Sequence, residues 1–201
     1  ELMHQYGSRK IIYSSSAAIY GNPVELPVAE SHPLAPISPY GLSKYVAEEY
    51  IMLYNRMYGL DYTVLRYANV YGPRQTLEGE AGVVTVFVNR IRDGEPVIVN
   101  GDGRHTRDFI YVMDVAAANI TALQAGREAV VNISTGIEVS LNQLVDTLET
   151  AVGKKVFVIH GPERPGDIVN SCLDPAKAEE LLGWKAATPL EEGLTQTWKH
   201  G

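Results

Sequence analysis

A tyrosine and a lysine four residues apart, Tyr40 and Lys44 in SPYGLSKYVAEEY, follow a run of three serines, Ser14–Ser16, in IIYSSSAAIYG. On a helix, residues four apart stand one above the other, so a phenol and an ammonium at this spacing present their tips to the same space. A phenol with an ordinary pKa near ~10 is a poor base at neutral pH, and bringing it to ~7 takes about 4 kcal/mol of added stabilisation of the phenolate. A fixed ammonium supplies much of that. A serine hydroxyl leaving a neighbouring strand can hydrogen-bond the same substrate oxygen and hand its proton to the phenolate. Together the three side-chain types offer proton abstraction from a hydroxyl. Chance also produces the Tyr-x-x-x-Lys spacing, where a lysine lying over a core tyrosine is the plain alternative. Its weight comes from its place, at the start of a helix and just after a serine-ended strand. The carboxyl ends of parallel strands are where open α/β sheets bind ligands.

These side chains need a strand, a crossover helix and a second strand to hold them. Arg9 to Tyr13 is strand-like and the run breaks into small polar residues at Ser14. A loop with Pro23, Pro27, Pro33 and Pro36 follows. Pro39 opens a helix that runs to about Tyr58 and is stopped by Gly59, the usual asymmetry of Pro at the start and Gly past the end. Asp61 to Tyr67 is β-branched and aromatic and predicts the next strand. This β-loop-α-β order predicts a parallel sheet with crossover helices. Further on, the pattern predicts helices over Val83–Arg92 and Asp114–Leu123, strands at Val97–Val99, Phe109–Tyr111 and Val130–Ile133, and a helix opened by a Ser140/Gln143 capping box. A strand near Val156–Ile159 and two short helices, after Asp174-Pro175 and after Pro189, complete the chain.

The 201 residues are 45% hydrophobic and 20% charged, enough to bury a substantial core as one or two globular domains. No stretch approaches the ~18 apolar residues of a membrane helix, and the first residues, ELMHQYGSRK, have no apolar signal segment. A cytoplasmic protein without membrane attachment is the expectation. A single cysteine, Cys172, excludes an internal disulfide framework, and the five histidines lack zinc-ligand spacing, so no structural metal is expected. A net charge of −7 argues against nucleic acid as a partner, although a small anion needs only a few local arginines.

The segments SSSAAIYG, SPYGLSKYVAEEY, LRYANVYGPRQ, GDGRHTRDFIYVMDVA, RPGDI and LGWKAATPLEEGL resemble, in order, those of the extended short-chain dehydrogenase/reductases. The UDP-glucose (UDP-galactose) 4-epimerases are the most similar branch. The resemblance implies an α/β fold: the C-terminal part of a Rossmann-like parallel sheet in residues 1–70, joined by Val130–Ile133, and a smaller α+β nucleotide-sugar-binding region mainly in 71–201. It implies NAD as cofactor and inversion at C4 of a UDP-hexose through a 4-keto sugar. Tyr40 would be the base, Lys44 would hold the nicotinamide ribose and lower the tyrosine pKa, and Ser16 would share the hydrogen bond to the reacting oxygen. Ser14, Ser15 and Tyr67 fall on the cofactor side, with Ser14 and Ser15 carrying the backbone past it. Related dehydratases resemble Thr-Asp-Glu after that strand, where this chain has Ser16-Ala17-Ala18; methyl groups do no acid-base work, so dehydration is disfavoured.

On the sugar-nucleotide side the resemblance implies Arg107 and Arg164 at the diphosphate, Asn69 donating to it and Asp167 on the nucleotide ribose. An arginine fork suits two phosphate oxygens at once. Arg74 and Arg104 stay unassigned. Asn100 stands where some epimerases carry an aromatic against uracil, and it would hydrogen-bond a base or face solvent. Ser171 falls at the gatekeeper position, where a tyrosine restricts the pocket to plain hexoses; a small side chain there implies room for an N-acetyl group.

A dinucleotide fold opens with a glycine-rich turn and an acidic residue ~20 positions later. Its nearest counterpart here is Gly101-Asp102-Gly103, with Thr106 where a third glycine is needed. The expectation is therefore a chain lacking the first β-α units, on the order of 100 residues, with little activity alone. An uncovered edge on the serine strand would invite pairing. The helix over Pro39–Tyr58 has one stripe of Val46, Tyr50, Leu53 and Met57 beside another of Ala47, Ile51, Tyr54 and Tyr58. One stripe for the sheet and one for a partner predicts a homodimer. Two other readings remain open: a related uronate epimerase or decarboxylase, and a non-catalytic nucleotide-sugar-binding fragment.

Overall fold

The computed structural model describes residues 2–78, 81–163 and 168–201. Arg164 and Asp167 lie outside the described residues. Along the chain run α1 (Leu2–Gln5), β1 (Lys10–Ser16), a 3-10 turn (Ala17–Ile19), α2 (Pro39–Tyr58), β2 (Asp61–Tyr67), β3 (Asn69–Tyr71) and α3 (Val83–Arg92). β4 (Val97–Asn100), β5 (Thr106–Arg107), β6 (Phe109–Tyr111), α4 (Val112–Ala122), β7 (Ala129–Ile133) and β8 (Val139–Ser140) follow. The chain closes with α5 (Leu141–Val152), β9 (Val158–Gly161), α6 (Ala176–Leu182) and α7 (Leu190–His200).

This is an α/β fold built on a parallel three-stranded sheet in the order β1-β2-β7. β1 does not break at Ser14. Its ladder with β2 continues through Ser14↔Leu65, Ser15↔Arg66 and Ser16↔Tyr67, because a buried partner strand outweighs the weak strand preference of serine. The serines therefore alternate between the two faces of the sheet. On one face Ile12, Leu65, Val131 and Ile133 pack against Val115, Ala118 and Ala122 of α4, Ala178 and Leu182 of α6, and Trp184. Leu65 and Ile133, both fully buried, each contribute roughly 1.5–3 kcal/mol relative to exposure. Residues 1–70 thus rely on α4, β7 and α6 to cover their sheet.

On the other face lies α2. Ser38 caps it by accepting a hydrogen bond from the Gly41 amide at 3.0 Å, Pro39 occupies the first turn, and Gly59 closes it in the left-handed region. Its buried residues are Gly41, Glu48 and Ile51. The stripe of Val46, Tyr50, Leu53 and Met57 is exposed by 43%, 61%, 39% and 57%, whereas the second stripe buries Ile51 and leaves Tyr58 46% exposed.

The rest of the chain forms the small pairs β3-β6 and β4-β9, both parallel, and β5-β8, antiparallel. α3, α5 and α7 pack there through Phe87, Ile91, Leu144, Leu148 and Leu194, over Val97 and Val99. Ser140 and Gln143 form the capping box that starts α5. β5 and β8, two residues each, carry no pattern long enough to read in sequence. β9 lies slightly later than its apolar run suggests, since Val156 is buried in the core ahead of the strand.

Candidate active site

Three walls meet beyond the carboxyl ends of β1 and β2. The first is the serine end of β1, the second the opening turn of α2, and the third the β2–β3 junction with the start of α3. Between them is a cavity of about 290 Å³ lined by Ser16, Tyr40, Tyr67, Asn69, Gln75 and Val84, among others. A larger cavity of about 550 Å³ lies at the opposite end of the strands, beside Arg9, Lys10, Leu60 and Arg127, and contains none of the candidate residues.

Ser16 caps the 3-10 turn, its Oγ accepting a hydrogen bond from the Ala18 amide at 3.2 Å. That turn is what α2 sits on. A Cβ at Gly41 would stand 2.5 Å from the Ala18 carbonyl oxygen, so only glycine lets Tyr40 come this close to the chain leaving Ser16. Lys44, one helical turn on, donates from Nζ to the Ser14 carbonyl at 2.9 Å. Its Nζ lies 5.7 Å from the centre of the Tyr40 ring and 5.4 Å from that of Tyr13. The two phenols differ in surroundings: burial first, then Glu48 and Tyr40, push the Tyr13 pKa up and keep it neutral. Tyr40, 40% exposed, is the one that lines the cavity.

Ser14 and Tyr67 share the α4 side of the sheet, their hydroxyls 2.9 Å apart. Asn119 of α4 donates to the Tyr67 oxygen at 2.8 Å and to the Val115 carbonyl at 2.8 Å. Ser15 is turned the other way: it is buried and its hydroxyl donates to Glu48. Its hydroxyl is thus taken up by Glu48, and only its backbone could serve in the role expected of it from sequence. Burial pushes the neighbouring Tyr20 phenol up to about 12, against the pull of Arg66.

The remaining candidates form a second group. Arg107 on β5 donates from Nη1 to the carbonyls of Thr106 at 2.7 Å and Val169 at 3.3 Å. The Ser171 amide bonds the same Thr106 carbonyl at 3.2 Å, so the two residues sit on adjoining backbones. Asn69 joins both groups, lining the cavity while its amide donates to the Asp108 carbonyl at 2.9 Å. Arg107, Ser171 and Asn100 do not line the cavity. Asn100 ends β4, opposite Gly161 of β9.

Three residues had no signal of their own in the sequence. Asp108 is 1% exposed and accepts from the Thr135 amide at 3.0 Å, the Thr135 hydroxyl at 2.7 Å, the Gly136 amide at 3.0 Å and the Leu173 amide at 3.4 Å. Burial raises its pKa against these hydrogen bonds. It pins the Ser171–Leu173 segment beside Arg107. Glu48 and Asn119 are the others; an acidic residue directly after the arginine in TRDF and a Glu one turn past Lys44 were legible only as types.

Residues 1–134 match the NAD dependent epimerase/dehydratase family. The chain belongs to that family. A putative UDP-glucose 4-epimerase of Methanocaldococcus jannaschii is 50% identical over 195 residues, covering 96% of this chain and 63% of that protein. The crystal structure of the Thermotoga maritima UDP-glucose 4-epimerase with UDP-glucose is 47% identical, with a TM-score of 0.94 over 98% of this chain and 65% of that one. A UDP-N-acetylglucosamine 4-epimerase from Methanobrevibacter ruminantium, in complex with UDP-N-acetylmuramic acid, is 36% identical with a TM-score of 0.94, covering 98% and 64%. The chain spans less than two thirds of the length of these relatives. Among the described residues no helix is long and apolar enough to cross a membrane.

Proposed function

We propose that this chain carries the catalytic side chains and the sugar-nucleotide side of an NAD-dependent enzyme that inverts C4 of a UDP-hexose through a transient 4-keto sugar. The observation that carries this reading is the cavity shared by Ser16 and Tyr40, with the Lys44 ammonium 5.7 Å from the Tyr40 ring and anchored on the Ser14 carbonyl. Tyr40 takes the proton from the sugar 4-hydroxyl, Ser16 hydrogen-bonds the same oxygen, and Lys44 stabilises the phenolate. When bound, NAD supplies hydride acceptance and return at C4.

The residues present fit the nicotinamide end of that cofactor. The Ser14, Tyr67 and Asn119 cluster offers polar atoms beside Lys44 at the carboxyl end of the sheet. No Gly-x-Gly-x-x-Gly turn exists in these 201 residues for the pyrophosphate. These residues alone therefore bind NAD poorly and turn over little. Acid release of NAD from the purified chain checks this, and near-stoichiometric cofactor would overturn it.

Arg107, Arg164 and Asn69 serve the diphosphate, Asp167 the nucleotide ribose, and Asn100 the base, with residues 71–201 as the main sugar-nucleotide region. Ser171 leaves room for an N-acetyl group, so UDP-N-acetylglucosamine is turned over beside UDP-glucose. The exposed Val46, Tyr50, Leu53 and Met57 face of α2 closes a homodimer in the cytoplasm. The decisive assay is conversion of UDP-galactose to UDP-glucose with NAD by a polypeptide in which these residues are joined to a glycine-rich dinucleotide-binding segment, compared with its Tyr40→Phe variant. Conversion of UDP-glucuronate alone would move the reading to a uronate epimerase.

A further inference from the structure

Directly behind the serine end of β1 is a charged pair sealed from solvent. Glu48 of α2 is 0% exposed and Arg66 of β2 is 3% exposed. Arg66 reaches the carboxylate through Nη2 at 2.7 Å and through Nε at 3.2 and 3.3 Å. The same carboxylate accepts the Ser15 hydroxyl, and Ser15 stands opposite Arg66 in the β1–β2 register. Arg66 Nη1 continues to the Tyr20 hydroxyl at 3.0 Å, and that hydroxyl donates a hydrogen bond to Asn132 Oδ1 at 2.7 Å. One carboxylate therefore ties α2 to β1, to β2 and to the residue that ends the turn capped by Ser16.

For stability alone this is a poor use of a buried site. Removing two charges from water costs several kcal/mol per ion, and an apolar pair of similar volume is often as stable or more so. What such a pair specifies is register. Glu48 lies one turn past Lys44 and two past Tyr40 on the same helix face, and a slip of one residue rotates a helix side chain by about 100°. We propose that Glu48, paired with Arg66, is a positioning residue: by holding Ser15 it sets α2 against β1 so that Tyr40 meets Ser16 in one cavity, with Lys44 beside the Tyr40 ring. The proposal rests on the reading of Ser16, Tyr40 and Lys44 as the reacting group.

The test compares Glu48→Gln, the double variant Glu48→Met/Arg66→Met, and Ser15→Ala. Glu48→Gln leaves Arg66 buried without a counter-charge and lowers Tm. The double variant regains most of that Tm, since no charge is left unpaired. The first readout is the 13Cζ resonance of Tyr40 at neutral pH, assigned by its absence in Tyr40→Phe; it requires neither cofactor nor turnover. The proposal expects that resonance to stay displaced in the double variant and in Ser15→Ala although both are folded. The second readout, taken in a polypeptide in which these residues are joined to a glycine-rich dinucleotide-binding segment, is turnover with NAD and UDP-galactose, where kcat falls about 10²-fold with KM changed less than about twofold.

If the resonance returns to the wild-type position along with Tm in the double variant, the pair is merely structural and the proposal is overturned. If the double variant does not fold, Ser15→Ala decides by itself, because it leaves the ion pair intact; an unmoved Tyr40 resonance there also overturns the proposal. Displaced resonances in the variants, together with no turnover of any UDP-sugar by a polypeptide in which these residues are joined to a glycine-rich dinucleotide-binding segment, would sink the functional reading and leave the positioning role standing.

Discussion

Replacing Gly41 by alanine tests whether the approach of α2 to the turn after Ser16 is as tight as the geometry requires. Gly41 lies inside α2, where alanine is the better helix former by about 1 kcal/mol. Helix propensity alone therefore predicts stabilisation. Against it, the new Cβ would stand 2.5 Å from the Ala18 carbonyl oxygen, 3.1 Å from its carbon and 3.2 Å from the Pro36 Cβ. It would have to retreat by roughly 0.5 Å to reach even the 3.0 Å that real Cβ contacts hardly ever undercut. The nearest obstacle is backbone, which has no rotamer to move. Overpacking of this kind costs about 1–3 kcal/mol, and an unyielding neighbour belongs in the upper half of that range. The net expectation is a loss of about 1–2 kcal/mol, or roughly 2–8 °C in Tm for a chain of this size. Thermal melts followed by circular dichroism on wild type and Gly41→Ala give the answer. Because the same shift moves Tyr40 away from Ser16, any measurable epimerase activity should drop by more than the melt alone explains. A Gly41→Ala protein as stable as wild type, or more so, would show that α2 does not rest on the Ala18 carbonyl and would refute the account of how Tyr40 is placed.

Asp108→Asn should destabilise by about 2–4 kcal/mol, since an amide nitrogen then faces backbone donors that a carboxylate accepted. Because burial raises the Asp108 pKa, the folded state takes up a proton at a pH where the unfolded state has not. Stability contributed through this group therefore grows as pH falls from that raised value toward the ordinary 3.8. Urea melts across this range should show the wild-type advantage over Asp108→Asn widening on acidification; a narrowing gap would contradict the raised pKa. Burial, aided by Asp108, pushes the Cys172 thiol up to about 12, so it should resist alkylation until urea unfolds the chain. Ser171→Tyr should abolish turnover of N-acetylated UDP-sugars and spare UDP-glucose, read by chromatography of products; unchanged N-acetylhexosamine turnover would remove Ser171 as a size filter. Leu53→Glu on the exposed α2 face should convert a dimer to monomer in sedimentation while circular dichroism keeps the wild-type helix signal, since Leu53 is 39% exposed within the chain.

The amino-acid sequence by itself determined the features that depend on local geometry. Ser38, Pro39 and Gly59 bound α2 at the residues the capping preferences require, and the helical repeat alone puts Lys44 one turn beyond Tyr40. Ser140 and Gln143 likewise start α5 through contacts three residues apart. Tertiary structure decided what depends on partners distant in the chain. The serine run looked like the end of a strand, yet pairing with Leu65, Arg66 and Tyr67 carries β1 through it. That pairing sends Ser15 inward to Glu48 and leaves Ser14 and Ser16 on the other face. Glu48 and Asp108 carry no sign of burial in the sequence, because charge ordinarily goes with exposure. Their burial follows only from Arg66, 18 residues away, and from the amides of Thr135, Gly136 and Leu173, 27 to 65 residues away. A carboxylate can be held inside a protein only where such donors converge, and convergence is a property of the packed chain.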